Sequence, residues 1–158
     1  MPISRHGPSG SRKIVHVGVH LIWATRHRTP FLGKEVRAPL IRYISGIVRG
    51  QRGRLLIGGG WHDHIHLDVE LPPNIGLSAL VSTIKSNSMR WLRATFPLLG
   101  AVGWQKGYAA FSVDRRHDHA LMTYIRNQDL IHARRGAEIE RQAILLAHGC
   151  PAEPDPCD

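Results

Sequence analysis

The chain has 158 residues, of which 42% are hydrophobic and 21% charged. This composition predicts one compact domain with a single core and argues against disorder. No apolar run approaches the ~18 residues that a membrane span needs, and no apolar stretch follows the basic residues at the N-terminus. We therefore expect a soluble, cytoplasmic protein.

The net charge of +9 is distributed unevenly. Residues 1–54 contain 11 Lys and Arg but one acid, Glu35, and the remainder is nearly balanced. This asymmetry predicts a polyanionic partner that binds mainly the first third of the chain. A surface that only keeps the protein soluble is the alternative.

The two ends of the chain are rich in Pro, Gly, Ser and charge. They predict flexible segments over residues 1–12 and 150–158, flanking one folded domain over residues 13–149. Cys150 and Cys157 both fall at the C-terminal end and cannot cross-link a core. We expect free thiols in a reducing cytoplasm.

The first half of the domain reads as strand, helix and two strands. Apolar residues alternate over 16–25, which predicts the first strand. Apolar spacing of three and four predicts a helix over 34–51, and Pro39 in its first turns predicts a late start or a bend. Two strands then surround a Gly-rich bend, the second of them over 64–71.

The second half continues with a helical stripe from Leu77 to Leu92 and a fourth strand over 104–113. One helical segment over 121–134 and a short last helix over 137–147 follow. The order βαββαβ predicts an α+β, ferredoxin-like fold: an antiparallel four-stranded sheet with two helices on one face and further helices at the C-terminus. We expect the second sheet face to stay open for function.

The most informative segment is His64-Ile65-His66. Because side chains alternate along a strand, both histidines share the open face with Asp68 and Glu70. Their Cα atoms would be ~7 Å apart, so both imidazoles could bind one divalent metal. The alternative is a solvated histidine pair, and for the two carboxylates we expect outward, solvated side chains.

A second group of candidates lies near the C-terminus. Tyr124 and Gln128 are four residues apart on the predicted helix and project from one side, and His132 continues that stripe. A tyrosine at helical spacing is usually a core residue. The surrounding sequence, TYIRNQD, is polar and weakens that interpretation.

Several residues are candidates for contacts with nucleic acid. Trp61 and Tyr108 could stack unpaired bases, although each could equally be a core residue. Basic residues at the exit of the first strand and on the first two helices could bind phosphates, and binding should weaken steeply with salt. The candidates are Arg26, Arg28, Arg42, Arg49, Lys85 and Arg90.

Together these motifs resemble the single-tyrosine HUH transposases, which include the IS200-like and REP-associated tyrosine transposases. The resemblance runs from about His16 to Gly149. It depends on His64-Ile65-His66, on the stretch from Trp104 to Tyr108 with Ser112, and on Tyr124-Ile125-Arg126-Asn127-Gln128, all in the family's order and spacing.

The resemblance implies a function and its residues. Tyr124, on the C-terminal helices, would attack a phosphodiester of single-stranded DNA, including hairpin element ends, to give a 5′-phosphotyrosine. His64, His66 and Gln128 would hold Mg²⁺ or Mn²⁺. A homodimer is implied, whose active sites are shared between subunits. Mixed nitrogen and oxygen ligands favour Mn²⁺ over Mg²⁺.

Two other functions use part of this pattern. A non-catalytic or domesticated protein could bind single-stranded nucleic acid on the same sheet, although no RNP1-like aromatic run is present. A metal-dependent hydrolase of small phosphoesters would also use His64 and His66. That activity explains neither Tyr124 nor the basic first third.

Overall fold

The structure is a computed structural model that describes residues 14–134 and 136–150. Apart from Cys150, which is a free thiol, the predicted flexible ends lie outside the described residues. The elements are β1 (Gly18–Ala24), α1 (Lys34–Gly50), β2 (Arg54–Gly60), β3 (His64–Glu70), α2 (Leu77–Thr95), β4 (Ala109–Val113), α3 (Asp118–Arg126), α4 (Gln128–Arg134) and α5 (Ala137–Ala147), with short 3-10 turns at Arg26–Arg28, Pro97–Leu99 and Arg115–His117.

The four strands form one sheet in the order β2-β3-β1-β4, and every neighbouring pair is antiparallel. In the central pair, Leu21 lies opposite Leu67 and Ile22 opposite His66. This arrangement confirms the predicted α+β, ferredoxin-like fold. No helix within the described residues is long and apolar enough to cross a membrane.

The core lies between one sheet face and the helices α1 and α2. Leu21, Ile65 and Leu67 are completely buried there, and each such side chain contributes about 1.5–3 kcal/mol through burial. α1 begins at Lys34 and continues through Pro39, so the late start is not observed. The burial of Leu21, Ile65 and Leu67 shows that the alternation predicted for β1 and β3 assigns the correct residues to the core.

The predicted fourth strand, 104–113, is too long at its N-terminal side. Trp104 forms only an isolated bridge with Thr25, and its buried indole N–H donates to Ser88 Oγ at 3.1 Å. The carbonyl oxygens of residues 105–107 accept hydrogen bonds from Lys85 Nζ at 2.6, 3.2 and 2.8 Å. Because these carbonyls face an ammonium group, regular strand pairing starts only at Ala109.

Two glycines of β2 allow helices to approach the sheet closely from both faces. A Cβ atom on Gly58 would lie 2.7 Å from Ile41 Cγ2 of α1, and one on Gly59 would lie 2.6 Å from the Ile125 carbonyl oxygen of α3. α3 therefore packs on β2 and β3 from the side opposite the core.

The expectation of an open second sheet face is wrong. His64, His66 and Asp68 are only 4%, 1% and 0% exposed. The C-terminal helices return to this face, where α3 covers part of the sheet and α5 lines a cavity above β1 and β4. The histidines thus occupy an interior site.

The prediction of a single helical segment over 121–134 is also wrong, because the helix is interrupted at Asn127. α3 ends at Arg126 and α4 begins at Gln128. The Asn127 N–H closes α3 on the carbonyls of Thr123 and Tyr124, and its own carbonyl accepts from the backbone N–H groups of Leu130 and Ile131. One residue therefore ends one helix and starts the next.

Candidate metal centre and active site

His64 and His66 are both held by their Nδ1 atoms. His64 Nδ1 donates to Asp63 Oδ1 at 2.7 Å, and His66 Nδ1 hydrogen-bonds with His20 Nε2 at 2.9 Å. Both Nε2 atoms are buried and have no hydrogen-bond partner among the described residues. Fixing one ring nitrogen orients the other, which is how ligating histidines are commonly prepared for a metal.

A third potential ligand, Glu140 of α5, faces the two histidines. Its Oε2 lies 3.6 Å from His64 Nε2, and its Oε1 lies 3.6 Å from His66 Nε2. Ligand atoms of the three buried residues all lie within 4.8 Å of one another. Glu140 was not predicted from the sequence, because its neighbours in the chain resemble those of a solvated helix residue. The one available signal is Ile144, which lies one turn later and lines the same cavity.

Tyr124 and Gln128 reach the same carboxylate. The Tyr124 hydroxyl donates to Glu140 Oε1, and Gln128 Nε2 donates to the same oxygen at 2.9 Å. The ring centroids of Tyr124 and His66 are 5.7 Å apart. The structure thus brings the predicted tyrosine, glutamine and both histidines together within one chain.

His132 completes the surroundings of the carboxylate. Its Nε2 lies 2.7 Å from Glu140 Oε2 and 3.1 Å from Gln128 Oε1. The Gln128 amide oxygen therefore faces His132, while its nitrogen faces Glu140. The role of Gln128 as a metal ligand stays a prediction, and it would require the amide group to turn over.

Burial determines the charge state of several of these histidines. Burial, with the charges of His64, His20 and His132, holds the pKa of His66 well below its usual range. Burial and then the charge of His64 lower the pKa of His132 to about 4. Burial lowers the pKa of His64, but the hydrogen bonds and charges of Asp63 and Glu140 outweigh burial, so the net shift of this pKa is upward. Neutral imidazole is the metal-binding form.

These residues fit a divalent metal ion. Two buried imidazole nitrogens that have no hydrogen-bond partner in the described ranges face a buried carboxylate, and such polar atoms cost free energy unless something binds them. Mixed nitrogen and oxygen ligands suit Mn²⁺ better than Mg²⁺. A ligand set with Glu140 carries one negative charge, unlike the neutral set that the sequence predicts.

Asp68 is not the solvated carboxylate that the sequence suggests. It is completely buried, and neither of its oxygens has a hydrogen-bond partner in the described part of the chain. Burial and the charge of Asp118 raise its pKa to about 6. Glu70, in contrast, is half-buried and pairs with Arg54 and His16.

The predicted phosphate contacts divide into groups. Arg28 lies beside the site, 3.6 Å from Asp63, and Arg26 is exposed just after β1. Lys85 donates to the three carbonyls of residues 105–107, so a phosphate would compete with those partners. The exposed residues on the helices of the opposite sheet face are Arg42, Arg49 and Arg90. DNA contact stays a prediction for all six.

The two candidate base-stacking residues have different surroundings. Trp61 stacks on His132, with ring centroids 5.2 Å apart and planes at 19°. It therefore packs against a histidine that contacts Glu140. Tyr108 is 38% exposed and lines the cavity next to the histidines.

The fold and this site define a family. Residues 13–128 match the family model described as "Transposase IS200 like", which covers most of the chain. The chain therefore belongs to the IS200-like transposase family, and the resemblance predicted from the motifs is confirmed. A comparison with curated proteins gives no match.

Two solved structures are similar to this chain. An inferred transposase from Deinococcus radiodurans R1 is 26% identical, with a TM-score of 0.62 and coverage of 76% of this chain and 96% of that one. A REP-associated tyrosine transposase bound to a REP hairpin is 15% identical, with a TM-score of 0.57 and coverage of 95% and 93%. The second likeness supports the fold alone.

Proposed function

We propose that this transposase cleaves and rejoins single-stranded DNA through a 5′-phosphotyrosine on Tyr124, with Mg²⁺ or Mn²⁺ held by His64 and His66. One observation carries the proposal: the Tyr124 phenol and the two imidazoles converge on the carboxylate of Glu140. The proposed nucleophile, base and metal-binding pair are thereby adjacent, an arrangement that supports metal-assisted attack on a phosphodiester.

In the proposed cleavage, Tyr124 Oη attacks phosphorus and the bond to the 3′-oxygen breaks. A phenol with a pKa of ~10 is a weak nucleophile at neutral pH. Glu140 already accepts its hydrogen bond and is placed to take the proton. The leaving 3′-oxygen takes up a proton and departs as a hydroxyl group. The phosphate is then an ester of Tyr124.

Rejoining reverses these steps. A 3′-hydroxyl attacks the phosphotyrosine, and Tyr124 recovers its proton. Because the ester conserves the energy of the broken bond, no nucleotide is needed, and the sequence has no GxxxxGK[ST] phosphate-binding loop.

The metal ligands would be His64 and His66 with an oxygen from Glu140 or Gln128. A bound divalent ion would polarise the phosphate and orient the scissile bond. Asp63 and His20 fix the two ligand rings. Gln128 can serve in two ways, as the third ligand implied by the family or by holding Glu140 with its N–H group.

We further propose single-stranded DNA with hairpin ends as the substrate, since the REP-associated neighbour is bound to a REP hairpin. The 11 bases of residues 1–54 support a polyanionic partner. The family implies a homodimer whose active sites are shared between subunits, and a site complete within each chain is the competing arrangement. In the described chain, Tyr124 already contacts its own His66 and Glu140.

A denaturing gel tests the function. Single-stranded oligonucleotides tiling both flanks of the gene are incubated with the protein and Mn²⁺ or Mg²⁺. We expect a covalent adduct that is lost with EDTA, in Tyr124→Phe and in His64→Ala. Tyr43→Phe is the matched control, because Tyr43 lies on α1 and stacks on Trp91, away from the site.

Two results would contradict the proposal. An adduct that persists in Tyr124→Phe would exclude this nucleophile. Salt-sensitive binding without any adduct, in every metal condition, would favour a domesticated protein that binds single strands without cutting them.

A further inference from the structure

A cavity of about 220 Å³ adjoins the proposed metal centre, between β1, β4 and α5. It shares His64, His66 and Glu140 with that centre. A group bound in the cavity would therefore sit directly beside a phosphate held by the two histidines.

The rest of the lining is mostly apolar and partly aromatic. Ile22, Phe111 and Leu145 line the cavity, as does Tyr108, which is 38% exposed. The volume is below the ~300–1,000 Å³ of pockets for drug-sized ligands. A flat, single ring system between aromatic and aliphatic walls matches this size and chemistry, because bases stack well on such side chains.

One polar group in the cavity has a fixed orientation. Gln105 Oε1 accepts a hydrogen bond from the Ala24 N–H at 2.8 Å, so the other end of the amide must be the NH₂ group. That nitrogen has no hydrogen-bond partner among the residues described. Lys85 Nζ also donates a hydrogen bond to the backbone carbonyl oxygen of Gln105, which holds this residue in position. The cavity therefore offers a preset donor.

We propose that this cavity binds one unpaired nucleobase of the DNA strand, next to the scissile phosphate, and so sets a base preference at that position. The base would present an acceptor, a ring nitrogen or a carbonyl oxygen, to the Gln105 amide. Arg28 and Arg141 also line the cavity and provide positive charge for the flanking phosphates. This inference rests on the proposed single-stranded substrate.

An abasic-site scan tests it. The tightest-binding strand among the gene-flank oligonucleotides is resynthesised with one abasic site at each position in turn, and fluorescence anisotropy gives the Kd of each. Tyr124→Phe protein is used so that no strand is cut. We expect one position at which base loss weakens binding about tenfold.

Two variants link that position to the cavity. Ala109→Leu fills the cavity, and Gln105→Glu keeps the acceptor for Ala24 while removing the donor. Both should bring the ratio of the abasic Kd to the intact Kd close to one at the sensitive position. Ala101→Leu, the same change in an exposed loop, should keep the tenfold ratio.

The outcomes separate this inference from the proposed chemistry. A flat scan, an unchanged ratio in Ala109→Leu, or no binding of any strand would overturn the nucleobase site. If adducts form but the scan is flat, the chemistry stands without the site. A sensitive position that depends on Ala109, with no adduct from the wild type, leaves the site standing without the chemistry.

Discussion

The phenol of Tyr124 donates a hydrogen bond to the carboxylate of Glu140, a residue 16 positions later in the chain. That carboxylate also faces the buried Nε2 atoms of His64 and His66, each at 3.6 Å. The tyrosine and the histidine pair are therefore connected through a single side chain from α5. The predictions below follow from this connection and from the packing that maintains it.

Glu140→Gln should weaken Mn²⁺ binding at least about tenfold, because the centre loses its anionic oxygen while keeping its shape. Titration of Mn²⁺ followed by electron paramagnetic resonance measures free metal directly. Asp114→Asn, which removes an exposed carboxylate paired with Arg116, should leave the affinity unchanged. An unaltered Mn²⁺ affinity in Glu140→Gln would exclude Glu140 as a ligand.

Tyr124 should act within its own chain, because it already contacts His66 and Glu140 there. Mixing Tyr124→Phe protein with His66→Ala protein should therefore give no adduct, since neither chain has a complete site. A gel of the mixture, beside each variant alone and the wild type, measures this. Recovery of adduct well above that of the single variants would instead show sites shared between subunits.

Gly59→Ala should destabilise the protein by about 1–3 kcal/mol. The new Cβ would lie 2.6 Å from the Ile125 carbonyl oxygen, so α3, which carries Tyr124, must shift. Gly46→Ala in α1 is the matched control. A Cβ atom at this position would have no neighbour within 4 Å among the described residues, so the change should stabilise the protein by up to about 1 kcal/mol. Urea unfolding gives both values, and equal effects would contradict the close contact.

Acid should destabilise the metal-free protein partly through His20. Burial and the charge of His148 lower its pKa from 6.5 to about 4. The unfolded chain therefore takes up this proton first, and stability falls as the pH drops from 6.5 towards 4. Between about pH 7.5 and about pH 5 the loss is about 2 kcal/mol from this residue.

Urea unfolding in EDTA at the two pH values measures that loss. His20→Gln, which keeps a hydrogen-bonding group, should show a pH dependence smaller by about the same amount. His27→Gln, an exposed change in the turn after β1, is the control and should behave as the wild type does. An equally steep pH dependence in His20→Gln would contradict a neutral buried His20.

Much of the fold and most residues of the candidate site, apart from Glu140, could be predicted from the sequence. Alternation over β1 and β3 correctly separated Leu21, Ile65 and Leu67 from His64 and His66. The spacing of Tyr124 and Gln128 predicted that both side chains project to the same side, and both contact Glu140 although the helix is interrupted at Asn127. The extent of β4 could not be predicted, because Lys85 of α2 competes for the carbonyls that would have extended the strand.

Periodic patterns in the sequence are enough to assign most strands and helices and to show that His64 and His66 point the same way. That information is local, because backbone geometry fixes side-chain direction within a few residues. The burial of this face and the position of Glu140 beside the histidines follow from tertiary contacts instead. Both depend on the C-terminal helices folding back over the sheet, a contact between distant residues that no local pattern records.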